Sequence, residues 1–212
     1  MLVFSNFGAN AQKWLEGLDY RLELGATVST ITNVQSIKPG YNYSARIGGS
    51  FSLPLLGSPI NLSSGLFITQ KGLMVNIDEY NKLKAKPTYV ELPLCLSYRI
   101  DFNEEQVMFV DFGGYGAIGV VGKFDFSGDS FSDVSSKDIF KLSEKPINRY
   151  DAGLTASALY EYMSFSFRLG GSFGLMNVVN NNPNIDYWHS VGNGQSYNMQ
   201  IFFNVGYRFF YY

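Results

Sequence analysis

Hydrophobic and polar side chains alternate along most of this chain, and the alternation is cleanest in Tyr197–Phe209. Tyr197, Met199, Ile201, Phe203, Val205, Tyr207 and Phe209 share one parity. Asn198, Gln200, Phe202, Asn204, Gly206 and Arg208 share the other. A period of two marks a strand with one greasy face and one wet face. At about thirteen residues the run outlasts the roughly five or six of an ordinary soluble strand and is long enough to cross a bilayer.

The same unit recurs seven more times. The pattern predicts strands over Leu18–Thr32, Tyr41–Leu53, Ile60–Leu73, Thr88–Asp101, Val107–Lys123, Tyr150–Tyr160 and Met163–Leu175. Pro93, inside the fourth, has no N–H for a ladder and predicts a local bulge. Short connections fall near Gly57–Pro59, Asn103–Gln106 and Tyr160–Tyr162. Long ones cover Asn33–Gly40, Gly72–Pro87, Phe124–Arg149 and Met176–Ser196. Alternating short and long connections suit an all-β, eight-stranded, antiparallel, up-and-down transmembrane barrel over residues 18–212, with short turns and termini on one side. In an outer membrane that side is the periplasm, and the long loops face outward.

Charge follows the same parity. Asp19, Arg21, Glu23, Arg46, Lys71, Glu91, Arg99, Asp111, Asp151, Glu161, Arg168 and Arg208 all occupy the polar side of their strands. An Arg or Lys on a lipid face costs about 2–4 kcal/mol near the midplane, so this bias is what a membrane wall requires. Alternation alone leaves open which face points inward. A soluble lipocalin-like ligand-binding barrel has the same period with its faces exchanged. Strand length, tyrosines near strand ends and charge clustered with glycine favour the polar-in arrangement.

Composition agrees. Only 16% of the 212 residues are charged, 17% are aromatic, and there are 22 Gly. A net charge of −2 speaks against a nucleic-acid partner. A single cysteine, Cys95, excludes an internal disulfide and a cysteine-built metal site. Ala9-Asn10-Ala11 before Gln12 reads as the small-residue end of a signal peptide. Residues 1–17 are therefore a signal-peptide remnant or an N-terminal lead-in.

Several stretches resemble the PorT-like outer-membrane β-barrel proteins of the Bacteroidetes. They are Gly65-Leu66-Phe67-Ile68-Thr69-Gln70-Lys71-Gly72, Tyr89-Val90-Glu91-Leu92-Pro93-Leu94, Asp151-Ala152-Gly153-Leu154 with Tyr160-Glu161-Tyr162, and Gly206-Tyr207-Arg208-Phe209. In order and spacing they span the third to eighth strands. The resemblance implies an outer-membrane barrel, with Pro93 as a family feature. One branch of the family is linked to protein secretion and gliding. Family chains usually end at the Tyr-Arg-Phe, whereas here Phe210-Tyr211-Tyr212 follow.

The candidate site is the wet face. Arg21, Glu23, Arg46, Lys71, Glu91, Arg99, Asp111, Asp151, Glu161, Arg168 and Arg208 form an expected lumen network. Buried charges are tolerable only when paired, and an eight-stranded barrel is narrow enough for side chains to fill. This predicts a salt-bridged, largely plugged lumen; the alternative is a narrow channel for a small solute. Phe131, Phe140, Tyr187, Trp188 and His189 form a candidate binding surface on the long loops, for an envelope protein or a glycan. His189 is the only histidine, so no base stands beside a nucleophile and no enzyme activity, cofactor or metal is expected. Gly113-Gly114-Tyr115-Gly116-Ala117-Ile118-Gly119 is glycine-rich but lies within a strand, where it eases curvature or makes room for large lumen side chains. The expected partners are outer-membrane lipid and, during insertion, the barrel-assembly machinery. The role that remains is structural, adhesive, or attachment to an envelope complex.

Overall fold

A computed structural model of the chain describes residues 18–32, 39–55, 58–76, 82–127, 140, 147–178 and 196–209. The expected lead-in of residues 1–17 lies outside them. In chain order the strands are β1 (Asp19–Thr32), β2 (Pro39–Gly40), β3 (Asn42–Pro54), β4 (Ile60–Gln70), β5 (Leu73–Asn76), β6 (Lys82–Asn103), β7 (Gln106–Ser127), β8 (Tyr150–Tyr162), β9 (Phe165–Gly174) and β10 (Tyr197–Phe209).

All pairings are antiparallel. The order β6-β4-β3-β1-β10-β9-β8-β7, with β7 pairing back to β6, closes a ring of eight strands. The first and last strands lock along their whole length, from Tyr20 opposite Phe209 to Thr32 opposite Tyr197. Closure leaves no edge, so every backbone group of the wall has a neighbouring strand to pair with. The short strands β2 and β5 pair with each other, and β5 also pairs with the start of β6, at the long-loop end.

Three details differ from the sequence pattern. The stretch expected as the long connection Gly72–Pro87 holds β5 and the start of β6, which runs for 22 residues. Its ladder with β7 continues past the apolar segment, because backbone pairing needs no greasy face. The third short turn lies at Met163 and Ser164 rather than at Tyr160–Tyr162. Met163 adopts φ 54°, a left-handed conformation uncommon for a side chain with a Cβ. It is held there by its own N–H to the Glu105 carbonyl at 2.8 Å and by Arg208 Nη2 donating to its carbonyl at 3.1 Å. Finally, Pro93 makes no bulge. The β6–β7 register shifts between Thr88 and Tyr89 and again near the turn, while Pro93 stays opposite Tyr115. Its missing N–H shows on the other side, where β4 and β6 pair at Ser64–Leu94 and at Phe67–Glu91 but not between.

Burial decides which face is inside. Leu22, Ile47, Leu66, Leu96, Phe112, Leu169 and Ile201 each expose more than half of their surface, whereas Arg21, Arg46, Lys71, Glu91, Asp111 and Asp151 expose 2% or less. An apolar band of that extent has no place in water. The wall faces lipid, and the soluble ligand-binding barrel is overturned. Tyr20, Tyr98, Tyr160, Tyr162, Phe165, Tyr207 and Phe209 ring the short-turn end, with Phe165 and Tyr207 edge to face at 5.9 Å. Tyr41, Tyr43 and Tyr150 stand exposed towards the long-loop end. Such aromatic girdles mark the two membrane–water boundaries.

Depth makes the arrangement testable. Leu94→Arg, in mid-wall, is expected to lower unfolding free energy by about 2–4 kcal/mol, whereas Tyr98→Arg at the girdle costs about 0–1 kcal/mol. Urea titrations of the refolded protein in lipid vesicles, followed by circular dichroism, measure both. Equal costs at the two depths would contradict the assigned membrane position.

Candidate functional site

The lumen is filled by three ion-paired layers, each built from side chains that alternation turns inward. Nearest the long loops, Lys71 Nζ reaches Glu91 Oε2 at 2.8 Å and Asp151 Oδ2 at 3.0 Å. Arg46 Nη1 donates to Glu91 Oε1 at 2.8 Å. Tyr115 Oη and Asn198 Nδ2 each donate to Asp151 Oδ2 at 3.0 Å. Aromatic faces complete the cage. The Lys71 ammonium lies 4.0 Å from the Tyr115 ring centre, and the Arg46 guanidinium lies 4.1 Å from Phe67 and 4.3 Å from Phe202. Desolvated cation–π contacts of this kind are worth about 2 kcal/mol. Two glycines leave the space: a Cβ on Gly48 would sit 2.5 Å from the Phe67 ring, and one on Gly170 would sit 2.5 Å from the Phe202 ring.

In the middle layer Arg168 bridges two carboxylates. Its Nε and Nη2 donate to Glu23 at 3.1 Å each, and its Nη1 donates to Asp111. Glu23 also accepts from Ser50 and, at 2.9 Å, from Asn204 Nδ2. Asp111 accepts from Ser97 and, at 2.9 Å, from Ser157 Oγ. At the short-turn end Arg21 and Arg208 share Glu161, Arg208 at 2.8 Å, and Arg21 lies over Phe109. A run of hydroxyls, Ser52, Ser63 and Ser97, links this layer to the middle one.

In number the lumen cations Arg21, Arg46, Lys71, Arg168 and Arg208 equal the anions Glu23, Glu91, Asp111, Asp151 and Glu161, and Asp19 at the short-turn rim adds a carboxylate 3.6 Å from Arg21. Balance is what burial requires. An unpaired ion inside would keep several kcal/mol of desolvation penalty with nothing to offset it. Phe67 and Phe202 stack on the Arg46 guanidinium, and these three residues and Arg168 border one small cavity between the layer nearest the long loops and the middle one.

Ten of the eleven charged residues expected in the network meet there. Arg99 does not. It has the right parity but lies at the short-turn rim, 39% exposed, pairs with Asp101 at 2.7 Å, and reaches the network only through the Phe109 ring, 5.9 Å away. Strand parity says which face a residue takes, not whether its depth is dry. Sequence reasoning also passed over the uncharged members, above all Phe67, Tyr89 and Phe109. Their signal is an aromatic on the wet parity, the same exception that Phe202 shows in β10. Of the expected loop surface, Phe140 packs edge to face on Tyr89 at 6.1 Å, in space that Gly119 leaves open. Phe131, Tyr187, Trp188 and His189 lie outside the described residues. Among the described residues no three His, Cys, Asp or Glu side chains converge as a metal would need.

Removing one partner separates pairing from packing. Arg168→Met leaves Glu23 and Asp111 buried without their cation and is expected to cost about 3–5 kcal/mol. Adding Glu23→Gln and Asp111→Asn is expected to recover most of that loss, because the orphaned charges go too. Urea midpoints in vesicles read both; a triple variant as unstable as the single one would contradict the claim that the loss comes from Glu23 and Asp111 left without Arg168.

The fold and its polar interior can now be set against known proteins. The outer membrane protein beta-barrel domain family matches residues 9–180. Comparison with curated proteins finds no significant match. Among solved structures the chain is similar to Ail, the attachment invasion locus protein of Yersinia pestis, at 12% identity over 90% of this chain and 98% of that one, with a TM-score of 0.43. It is also similar to OprG of Pseudomonas aeruginosa, at 12% identity over 92% and 97%, TM-score 0.47. Neisserial surface protein A matches at 9% identity over 90% and 97%, TM-score 0.46. With most of its length matched by the family, the chain belongs to the outer membrane protein beta-barrel domain family and is a bacterial outer-membrane protein.

Proposed function

We propose that this barrel is a non-conducting, non-catalytic membrane platform whose long loops carry a structural or adhesive role or attach it to an envelope complex. The observation that supports this most is the charge-balanced lumen. The ten charges of the network are ion-paired between strands, and Phe67 and Phe202 stack on the Arg46 guanidinium inside the barrel. A solute path needs groups free to exchange partners, and these are mutually committed. We place the short turns and termini in the periplasm and the long loops outside, with an envelope protein or glycan as the loops' partner. Insertion is assigned to the barrel-assembly machinery. The PorT-like, Bacteroidetes resemblance of the sequence belongs to the same proposal.

Planar-bilayer recording tests it. The refolded native barrel is expected to give no conductance steps above the lipid baseline. Replacing Arg46, Phe67 and Glu91 together with serine removes the stack and a neutral ion pair, and is expected to open resolvable steps. Steps from the native protein as large as those of the variant would overturn the platform in favour of a narrow channel.

A further inference from the structure

We propose that the outward face of the strand extension at the long-loop end binds the phosphate headgroup of anionic lipid in the outer leaflet. Within the membrane β6 turns its apolar side outward, with Leu92, Leu94, Leu96 and Tyr98 each more than half exposed. Beyond Thr88 the two faces exchange. β5, β6 and β7 continue there as one sheet, with Leu73 opposite Ala85, Val75 opposite Leu83, and Leu83 and Ala85 opposite Phe126 and Phe124. These six apolar residues share the inward face, on which Ala85 is fully buried. Lys82, Lys84 and Lys86 alternate with them along β6 and so occupy the outward face.

A bulge carries the exchange into β7. Thr88 pairs with Val121 and Tyr89 with Gly119, so Val120 is one residue more than β6 supplies. Val120 and Val121 are consecutive, yet they are 45% and 43% exposed. Unbroken alternation from Phe112 and Ile118 would place Phe124 and Phe126 on the outward face and Lys123 on the inward one. The extra residue moves Lys123 to the outward face, in register with Lys86.

Water alone would accept any polar residue on that face, but the charge there is mostly of one sign. Among the described residues of the extension, Lys82, Lys84, Lys86 and Lys123 share it with Asp125 as its one carboxylate, in a chain whose net charge is −2. Exposed Arg149 joins them at the bulge, where its Nε donates to the Gly119 carbonyl at 2.9 Å. The level is that of the headgroups. Tyr150 of the outer girdle stands opposite Ile118, just below the bulge. Lys86 and Lys123 lie two residues beyond Thr88 and Val121, about 7 Å further along the strands. Phosphate oxygens accept charge-assisted hydrogen bonds from ammonium groups, and each lysine near an anionic surface adds about fivefold in attraction. The face continues the lipid-facing wall, so the phosphate it meets is one whose acyl chains already lie against that wall. This inference rests on the membrane-embedded barrel and not on what the loops bind, so its failure would leave the platform role standing.

Native mass spectrometry of the refolded protein in neutral detergent micelles tests it, with dioleoyl phosphatidic acid and phosphatidylcholine of the same chains as probes. Phosphatidic acid is expected to bind on the order of tenfold more tightly. Lys86→Gln with Lys123→Gln is expected to erase that preference, and Lys86→Arg with Lys123→Arg to keep it. Arg99→Gln, at the opposite rim, is expected to leave it unchanged. Circular dichroism checks the folding of each variant, and the comparison of the two lipids needs no variant. Excess inorganic phosphate is expected not to displace the lipid. Equal affinity of the native protein for the two lipids, or a preference that survives the double glutamine variant, would overturn the site. Displacement by inorganic phosphate would give the site to a free anion and overturn lipid as its ligand. A loss in Arg99→Gln as large as in the double glutamine variant would overturn its placement.

Discussion

Charges placed behind a lipid-facing wall have no water to turn to, and the rest of this structure depends on that constraint. Each must find its counter-charge across the bore, from a strand distant in sequence. Arg21 and Glu161 are 140 residues apart, and so close the ring between its first strand and the last short hairpin. Glu23 and Arg168 are 145 apart and do the same one layer deeper. Such pairs are demanding as well as stabilising, since a barrel closed in another register would leave them facing the wrong partners. Charge balance in the lumen is therefore a condition on the topology, not an addition to it.

The uncharged lumen residues serve the same constraint. Serines at Ser50, Ser97 and Ser157 satisfy carboxylate lone pairs that one guanidinium cannot reach. Phe67, Phe202 and Tyr115 surround cations with ring faces where further carboxylates would upset the balance. The glycines opposite them are small because the rings are large. Pro93 is where the wall departs from this economy. Its missing N–H leaves the β4–β6 ladder without the pairs of Gly65 and Leu66, while the register on both sides is kept.

Much of the fold was legible in the sequence. The last strand, Tyr197–Phe209, matches its predicted bounds. Eight spanning strands and the charged parity follow from a period of two that burial enforces on both faces. The extension of β6 and β7 was not legible, because beyond the membrane edge no face has to be apolar and only backbone pairing continues. Met163 was missed because a left-handed turn residue is normally announced by Gly or Asn, and here the surrounding hydrogen bonds impose it. Pro93 was seen, but its effect was assigned to the strand rather than to the neighbour it fails to bond. In the site, parity identified the members well and depth poorly, which is why Arg99 joined the expected network and sits outside it. Which cation meets which anion depends on register around the whole ring, and no local pattern carries that.

The measurement closest to the central claim is the mobility of the refolded protein on a cold detergent gel, with and without boiling. A closed barrel whose wall faces hydrocarbon and whose lumen is locked by ion pairs stays compact in cold detergent and opens only on heating, so the unboiled band should run apart from the boiled one. A single band under both conditions, from a protein that remains monomeric and in solution without detergent, would contradict the account and turn the sheet inside out.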